Sequence, residues 1–130
     1  TNLLEGKPSI LNHFPEEPEG MIRDYCFVGD VVKANLKALT QGGGEFFNIG
    51  TGKETKTLDL YNVIYEAVRE IKPDLSQTLS SPSAQNARPG DIKRSCLVVG
   101  KARDGLGWVP ETVLGQGIRL TLQWWLREKH

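Results

Sequence analysis

The strongest structural signal in this chain is a helical pattern between residues 57 and 71. Apolar side chains recur there three and four residues apart, which places them on one face of an α-helix. These apolar residues are Leu60, Val63, Ile64, Ala67, Val68 and Ile71. Thr57 is predicted to cap the helix, and Pro73 follows its end. A helix with one apolar face must pack against other elements, so the pattern requires a folded core.

Shorter patterns of both kinds surround this helix. Further helices are predicted from Asp30 to the glycines at 42–44, over residues 101–107 and over residues 113–128. In the first of these, Val32, Leu36 and Leu39 share one face. Short strands are predicted at residues 9–11, 45–49 and 75–79, and a surface loop at residues 80–90. About four helices with few short strands indicate an α/β fold with α+β character.

Length and charge limit the possible functions. With 130 residues, the chain suits one domain better than two. Its 16 basic and 16 acidic residues balance, so we predict no nucleic-acid partner. Apolar runs fall far short of the roughly 20 residues that cross a bilayer, so no membrane partner is predicted. Cys26 and Cys96 lack the spacing of metal or redox sites, which favours a reducing, cytoplasmic compartment.

The chain lacks the motifs of several catalytic sites. Its glycines fit neither the phosphate-binding loop nor the Gly-x-Gly-x-x-Gly spacing of dinucleotide sites. No tyrosine is followed four residues later by lysine. The histidines, His13 and His130, lie in no metal-ligand pattern. No catalytic, cofactor-binding or metal-binding residue is therefore predicted in this chain.

Arg23 and Arg88 are the candidate anion-binding residues. Arg23 begins an Arg-Asp-Tyr sequence, and Arg88 begins Arg-Pro-Gly-Asp, whose proline and glycine fix an exposed turn. Guanidinium groups bind phosphates through paired, charge-assisted hydrogen bonds. The alternative is a surface ion pair of each arginine with Asp24, Asp30 or Asp91, worth about 0.2–1 kcal/mol. The residue types alone leave both interpretations open.

Four phrases occur in a fixed order along the chain. They are Arg-Asp-Tyr at 23–25 with Val-x-Asp-Val-Val at 28–32, Phe-Asn-Ile-Gly-Thr-Gly at 47–52, Arg-Pro-Gly-Asp at 88–91, and Leu-Gly-Trp-Val-Pro at 106–110. In this order and spacing they resemble the C-terminal part of NAD-dependent sugar-nucleotide epimerases and dehydratases, in the extended short-chain dehydrogenase/reductase family. The resemblance covers about residues 7–125.

The resemblance implies a division between two domains. In the family, an N-terminal Rossmann domain holds NAD and a Tyr/Lys pair, and a C-terminal domain binds the nucleotide-diphosphate sugar. Residues 1–130 are then expected to form one substrate-binding domain. The NAD-binding domain is expected to lie outside this chain, and the intact enzyme to be a homodimer. Arg23 and Arg88 are implied to bind the diphosphate, Asp91 a ribose hydroxyl, and the segment from Ser9 to Leu11 to border the base.

The resemblance also implies a reaction, a 4-epimerisation of a UDP-sugar. NAD transiently oxidises C4 of the sugar, the ketone rotates, and the hydride returns to the opposite face. Asp91 directly after Gly90 is more typical of epimerases than of dehydratases. The loop before Arg23 is rich in proline and glutamate and lacks the Gly-Asp-Gly sequence that is frequent in the family. The identity of the base and of the sugar is therefore left open. The alternatives are a nucleotide-sugar 4,6-dehydratase or another reductase of the family, and a non-catalytic interaction or regulatory domain that keeps the fold.

Overall fold

The structure, a computed structural model, describes residues 1–128, and His130 lies outside the described residues. The α-helices are α1 (Val28–Ala38), α2 (Thr57–Ile71), α3 (Gly100–Leu106) and α4 (Leu114–Glu128). The strands are β1 (Ile10–His13), β2 (Ile22–Arg23), β3 (Thr55–Lys56) and β4 (Ser83–Asn86). One-turn 3-10 helices span Leu3–Glu5 and Gln77–Ser80. The predicted α/β class, with about four helices and few short strands, is confirmed.

β1 and β4 form a parallel pair. Ile10 lies opposite Ser83, and His13 lies opposite Asn86. The predicted strand at 9–11 is therefore found one to two residues further along. The predicted loop at 80–90 is wrong where β4 forms. All four residues of β4 are exposed, so the alternation of apolar and polar residues that marks a half-buried strand is missing.

β2 is flanked on both edges. Arg23 lies opposite Thr55 in the antiparallel pairing with β3. On the other edge, the Ile22 amide donates to the Lys93 carbonyl at 2.9 Å, and the Ser95 amide donates to the Ile22 carbonyl at 3.0 Å. The strand that carries Arg23 therefore lies between the residues that lead into α2 and the residues that lead toward α3.

The apolar side chains gather in two clusters. The first joins α2 to both 3-10 helices and contains Leu3, Tyr61, Tyr65, Val68 and Leu79, with Leu122 of α4 packed against it. The second joins α1 to α3 and contains Ala34, Ala102, Leu106 and Trp108. The Tyr61 hydroxyl donates to the Leu79 carbonyl at 2.5 Å, which satisfies the polar end of a buried ring. None of the helices within residues 1–128 has the length and apolarity that crossing a membrane requires.

Two predicted strands and one predicted cap are wrong. Residues 45–49 form no regular secondary structure and have no ladder partner among the described residues, and a strand needs a paired neighbour. Residues 77–80 form a 3-10 turn because the Ser76 side chain accepts a hydrogen bond from the Thr78 amide at 3.3 Å. Thr57 is the first residue of α2 and not its cap, since Lys56 occupies the N-cap position.

The predicted apolar face of α1 is not buried within the described chain. Val32, Leu36 and Leu39 are 50%, 61% and 79% exposed. The buried residues of α1 are instead Asp30 and Ala34, on another face of the helix. The helix itself begins before Asp30, at Val28. An apolar stripe that faces solvent marks a surface suited to further contacts.

Candidate functional site

Arg88 is the first residue of a tight turn, which two hydrogen bonds between Arg88 and Asp91 close. The Asp91 amide donates to the Arg88 carbonyl at 3.0 Å, and the Arg88 amide donates to the Asp91 carboxylate at 2.8 Å. Gly90 has a φ of 88°, in the left-handed region that other residues avoid. A proline followed by such a glycine suits the two central positions of a type II turn. Backbone geometry thus fixes the position from which Arg88 projects.

The Arg88 side chain is exposed and unpaired. Its guanidinium makes no hydrogen bond or ion pair with any residue in the described part of the chain. The Asp91 carboxylate accepts a backbone amide through one oxygen, and its other oxygen has no hydrogen bond there. The surface ion pair with Asp91, weighed above as an alternative, is not formed. The turn therefore presents an unneutralised positive charge at a defined point.

Arg23 is half-buried, and its guanidinium lies along its own strand. Nη1 donates to the Ile22 carbonyl at 2.8 Å, and Nη2 lies 3.2 Å from the Met21 sulfur. The same Ile22 carbonyl accepts the Ser95 amide, so the head of Arg23 lies beside the segment that follows the Arg88 turn. Within residues 1–128, Arg23 has no ion pair. A guanidinium has five N–H donors, so several remain free for a ligand.

The end of β1 adjoins Arg88. The Ala87 amide donates to the His13 carbonyl at 2.8 Å, directly before Arg88. At the start of this strand Ser9 is half-buried, and its carbonyl accepts the Ser83 amide at 2.8 Å. Leu11 is only 8% exposed, so its side chain belongs to the core more than to an open surface. The structure thus joins the predicted base-bordering segment to the Arg88 turn through the β1–β4 pair.

Asp24 holds together two of the sequence phrases. Its Oδ1 accepts the Thr51 amide at 2.8 Å and the Thr51 hydroxyl at 2.5 Å. Its Oδ2 accepts the amides of Gly52 at 2.9 Å and Leu97 at 3.4 Å. Burial by itself raises the pKa of Asp24, but these four donors bring it below its ordinary value. A Cβ on Gly50 would lie 2.6 Å from Oδ2, so this carboxylate requires glycine there.

Asp30 joins the first phrase to the fourth phrase and to the two residues that follow it. It is completely buried, and its Oδ2 accepts the amides of Glu111 at 3.1 Å and Thr112 at 2.8 Å. Its backbone carbonyl accepts the Trp108 indole N–H at 2.9 Å. Burial by itself raises the pKa of Asp30, but these donors and the nearby Lys33 lower it below its ordinary value.

Sequence reasoning missed both of these carboxylates. It considered their side chains as ion-pair partners for arginine, and the structure shows both carboxylates accepting backbone amides instead. The available sequence signal was the fixed order of the phrases, because each aspartate accepts amides from a segment far along the chain.

Tyr25 is a further residue that sequence reasoning left without a role. Its side chain lines two adjoining cavities of about 330 and 290 Å³. Burial raises the pKa of the Tyr25 phenol, and the positive charge of Arg23 opposes that rise. No described residue forms a hydrogen bond with its hydroxyl group. A phenol free to donate or accept therefore lies near Arg23.

Comparison with known proteins identifies the family. Residues 19–121 match the family described as GDP-mannose 4,6 dehydratase. A UDP-glucose 4-epimerase from Mycolicibacterium smegmatis is 43% identical over 78% of this chain and 30% of its own length. A dTDP-glucose 4,6-dehydratase from Salmonella typhimurium is 35% identical over 96% of this chain and 34% of its own length. The chain thus spans about a third of the length of these relatives.

Solved structures agree with this assignment. The UDP-glucose 4-epimerase of Thermotoga maritima, solved with UDP-glucose, superimposes with a TM-score of 0.80 at 32% identity. The match covers 99% of this chain and 38% of that one. The UDP-N-acetylglucosamine 4-epimerase of Methanobrevibacter ruminantium has a TM-score of 0.81 at 21% identity over 98% of this chain and 37% of that one, a likeness of fold. This chain therefore belongs to the GDP-mannose 4,6 dehydratase family, among the NAD-dependent sugar-nucleotide epimerases and dehydratases.

Proposed function

We propose that this chain is the substrate-binding region of a sugar-nucleotide 4-epimerase similar to UDP-glucose 4-epimerase. The observation that carries the proposal is the unpaired Arg88 guanidinium on a turn fixed by Asp91 and Gly90. An exposed cation that no residue of the described chain neutralises favours a bound anion, and the turn fixes the backbone from which it projects. The diphosphate of a sugar nucleotide supplies that anion.

The proposed contacts follow the residues named from the sequence. Arg88 and Arg23 bind the diphosphate from two segments that the Ile22 ladder places side by side. Asp91 accepts a ribose hydroxyl through the oxygen that does not hold the turn. The segment from Ser9 to Leu11 borders the base. The convergence of both guanidinium groups on one diphosphate remains a prediction.

The chemistry is assigned to NAD on a separate domain of the same enzyme. When bound there, NAD supplies the hydride acceptor and donor for C4 of the sugar. The residues of this chain bind and orient the sugar nucleotide so that C4 meets the nicotinamide. We expect the intact enzyme to be a cytoplasmic homodimer.

We assign the exposed apolar residues on and near α1 to contact with that NAD-binding domain. Val32, Leu36 and Leu39 of α1 face solvent, and Phe46 and Val98 are 89% and 82% exposed. Phe46 lies in segment 45–49, whose backbone has no ladder partner in the described chain. A segment without a ladder partner suits addition to the edge of a sheet. This domain interface would cover both features at once.

A 4,6-dehydratase is the second candidate, because the Salmonella typhimurium dehydratase matches 96% of this chain. The two reactions are distinguished by their products in the intact enzyme. An epimerase returns a sugar nucleotide of unchanged mass with C4 inverted. A dehydratase releases water and leaves a 4-keto-6-deoxy sugar, so the product loses the mass of one water. Mass spectrometry of the product separates these outcomes.

Calorimetric titration of the full chain tests the binding proposal. The ligands are UDP-glucose, dTDP-glucose and GDP-mannose, and the variant is Arg88→Ala. Loss of one charge-assisted contact should weaken binding about tenfold to a hundredfold. Arg94→Ala is the matched control, because Arg94 is exposed on the same segment but already pairs with Glu54. We expect it to bind within about twofold of the unchanged protein.

Two results would contradict the proposal. One is an Arg88→Ala variant that binds all three ligands as tightly as the unchanged protein. The other is the absence of binding by the folded, unchanged chain, which would favour the non-catalytic interaction domain.

A further inference from the structure

We infer that Asp24 is a positioning residue of the anion site: its carboxylate holds Arg23 against the segment that follows the Arg88 turn, and so sets the spacing of the two guanidinium groups. The inference rests on the proposed function, because it assumes that both arginines bind one diphosphate. It adds a residue that contacts no ligand itself.

Asp24 accepts four hydrogen bonds. Both oxygens of its carboxylate are used, and the donors come from two segments far apart in sequence. Thr51 and Gly52 approach from the loop before β3, and Leu97 approaches from the segment before α3. One side chain therefore fastens two segments to the strand of Arg23.

Asp24 makes these contacts directly after the end of β2. Up to Arg23, backbone hydrogen bonds hold β2 to its neighbours, through Ile22 on one edge and Thr55 on the other. One residue later the ladder ends on both edges, and the Asp24 side chain takes over its role on both. Arg23 thus lies between two sets of bonds that grip the same neighbouring segments. Neither segment can move from Arg23 without breaking one set.

A single segment of the chain connects the Arg88 turn with the contact between Leu97 and Asp24. The segment held at Leu97 is the one whose Lys93 and Ser95 pair with Ile22. Its other end leads back to the Arg88 turn. Releasing Leu97 from Asp24 shortens the anchored length of this segment, which then depends on the Lys93 and Ser95 bonds to Ile22 beside Arg23. A carboxylate suits this task because it accepts from all sides, whereas an amide has one accepting oxygen and a donating NH2 group.

Asp30 provides a matched control within the same chain. Its carboxylate also accepts backbone amides and is also buried, but it fastens residues 111–112 to α1, and within residues 1–128 none of its hydrogen bonds reaches β2, β3 or residues 93–97. Removing its charge should lower stability without altering the spacing of the arginines.

A double-mutant cycle on UDP-glucose affinity of the full chain tests the inference. The variants are Asp24→Asn, Arg23→Ala and both together, with Asp30→Asn as the control. If Asp24 acts through Arg23, Asp24→Asn alone should weaken binding about tenfold, and it should add less than about twofold in the Arg23→Ala background. Asp30→Asn should lower the melting temperature and leave affinity within about twofold, measured below the melting temperature.

If Asp24→Asn does not fold, Thr51→Val replaces it in the double-mutant cycle. It removes one donor to Oδ1 and keeps the backbone donors, so a smaller loss, about threefold, should vanish in the same Arg23→Ala background. Thr51→Ser restores the hydroxyl and should restore affinity.

Each outcome of the cycle has a distinct meaning. Wild-type affinity in Asp24→Asn, or full additivity with Arg23→Ala, would overturn the positioning role while leaving the proposed function intact. Unchanged affinity in both Arg23→Ala and Arg88→Ala would overturn the proposed function itself, and the positioning role with it.

Discussion

Asp24 and Asp30 use the same chemistry in two different regions. Each carboxylate accepts backbone amides from a segment far along the chain, and each has a pKa below its ordinary value. Asp24 is half-buried, lies next to Arg23 and fastens loops at the proposed ligand site. Asp30 is completely buried and fastens α1 to the residues that lead into α4.

The difference between the two regions lies in what loss of each carboxylate would expose. At Asp30 the accepting carboxylate is completely buried, so the loss of its two amide hydrogen bonds would fall mainly on folding. Around Asp24, water reaches part of the carboxylate. Its loss should therefore lower the free energy of unfolding less than at Asp30 and should change the local backbone geometry more. A carboxylate that accepts backbone amides can thus stabilise a core in one region and shape a binding surface in another.

Asp30→Ala should show the largest effect on stability. It leaves the Glu111 and Thr112 amides without their acceptor in a buried site, which should lower the free energy of unfolding by about 3 kcal/mol. Urea denaturation followed by tryptophan fluorescence measures this. Asp104→Ala is the control, because Asp104 is exposed and pairs only with its neighbour Arg103. A loss below about 1 kcal/mol for Asp30→Ala would contradict the assigned role.

Gly50→Ala should have the next largest effect and should act through Asp24. The new Cβ would lie 2.6 Å from Asp24 Oδ2 and 2.9 Å from the Leu97 side chain, so the carboxylate must shift. We expect a loss of about 2 kcal/mol in the free energy of unfolding. Gly43→Ala is the matched control, since nothing lies within 4 Å of its new Cβ. Equal stability of the two variants would show that the Asp24 contacts are not as close as described.

Acidification compares both carboxylates at once. A carboxyl group whose pKa is lowered in the folded state stabilises the fold above its unfolded pKa, and this stability is lost as pH falls through the folded pKa. The pKa values of Asp24 and Asp30 are both lowered, so the free energy of unfolding should fall below about pH 4. Asp30→Asn should make that fall shallower. An unchanged slope for Asp30→Asn would mean that Asp30 does not contribute to the acid sensitivity.

The smallest effect is expected for Lys33→Met. Lys33 lies 3.5 Å from Asp30 and also pairs with the exposed Glu111. Its side chain is half exposed, so solvent screens both interactions and the loss of stability should be too small to resolve by denaturation. Denaturation at low and at high salt checks this. A loss as large as that of Asp30→Ala would mean that the ion pair, and not the backbone amides, stabilises the region.

The sequence predicted α2 well because most of its apolar residues pack within this chain. The period at 57–71 matches α2, and Gly107 ends α3 in the left-handed conformation. Strands were predicted less well because a strand depends on its neighbour. The aromatic segment 45–49 has no strand partner in the described chain, whereas polar β4 has one in β1.

The candidate site was predicted from the sequence only in part. The turn at Arg88 follows from Pro89 and Gly90, whose preferences are local. The roles of Asp24 and Asp30 were not predictable in this way, because their partners lie far along the chain. Local patterns report local conformation, and a residue that joins distant segments leaves no local pattern.

The central claim is that Arg23 and Arg88 together recognise one diphosphate. Its most direct test is the preference of the full chain for UDP over uridine, measured by calorimetry before and after the double substitution Arg23→Ala with Arg88→Ala. The claim predicts that the unchanged chain prefers UDP by at least about a hundredfold, and that the double variant binds UDP within about threefold of uridine. A double variant that keeps the full preference for UDP would contradict it.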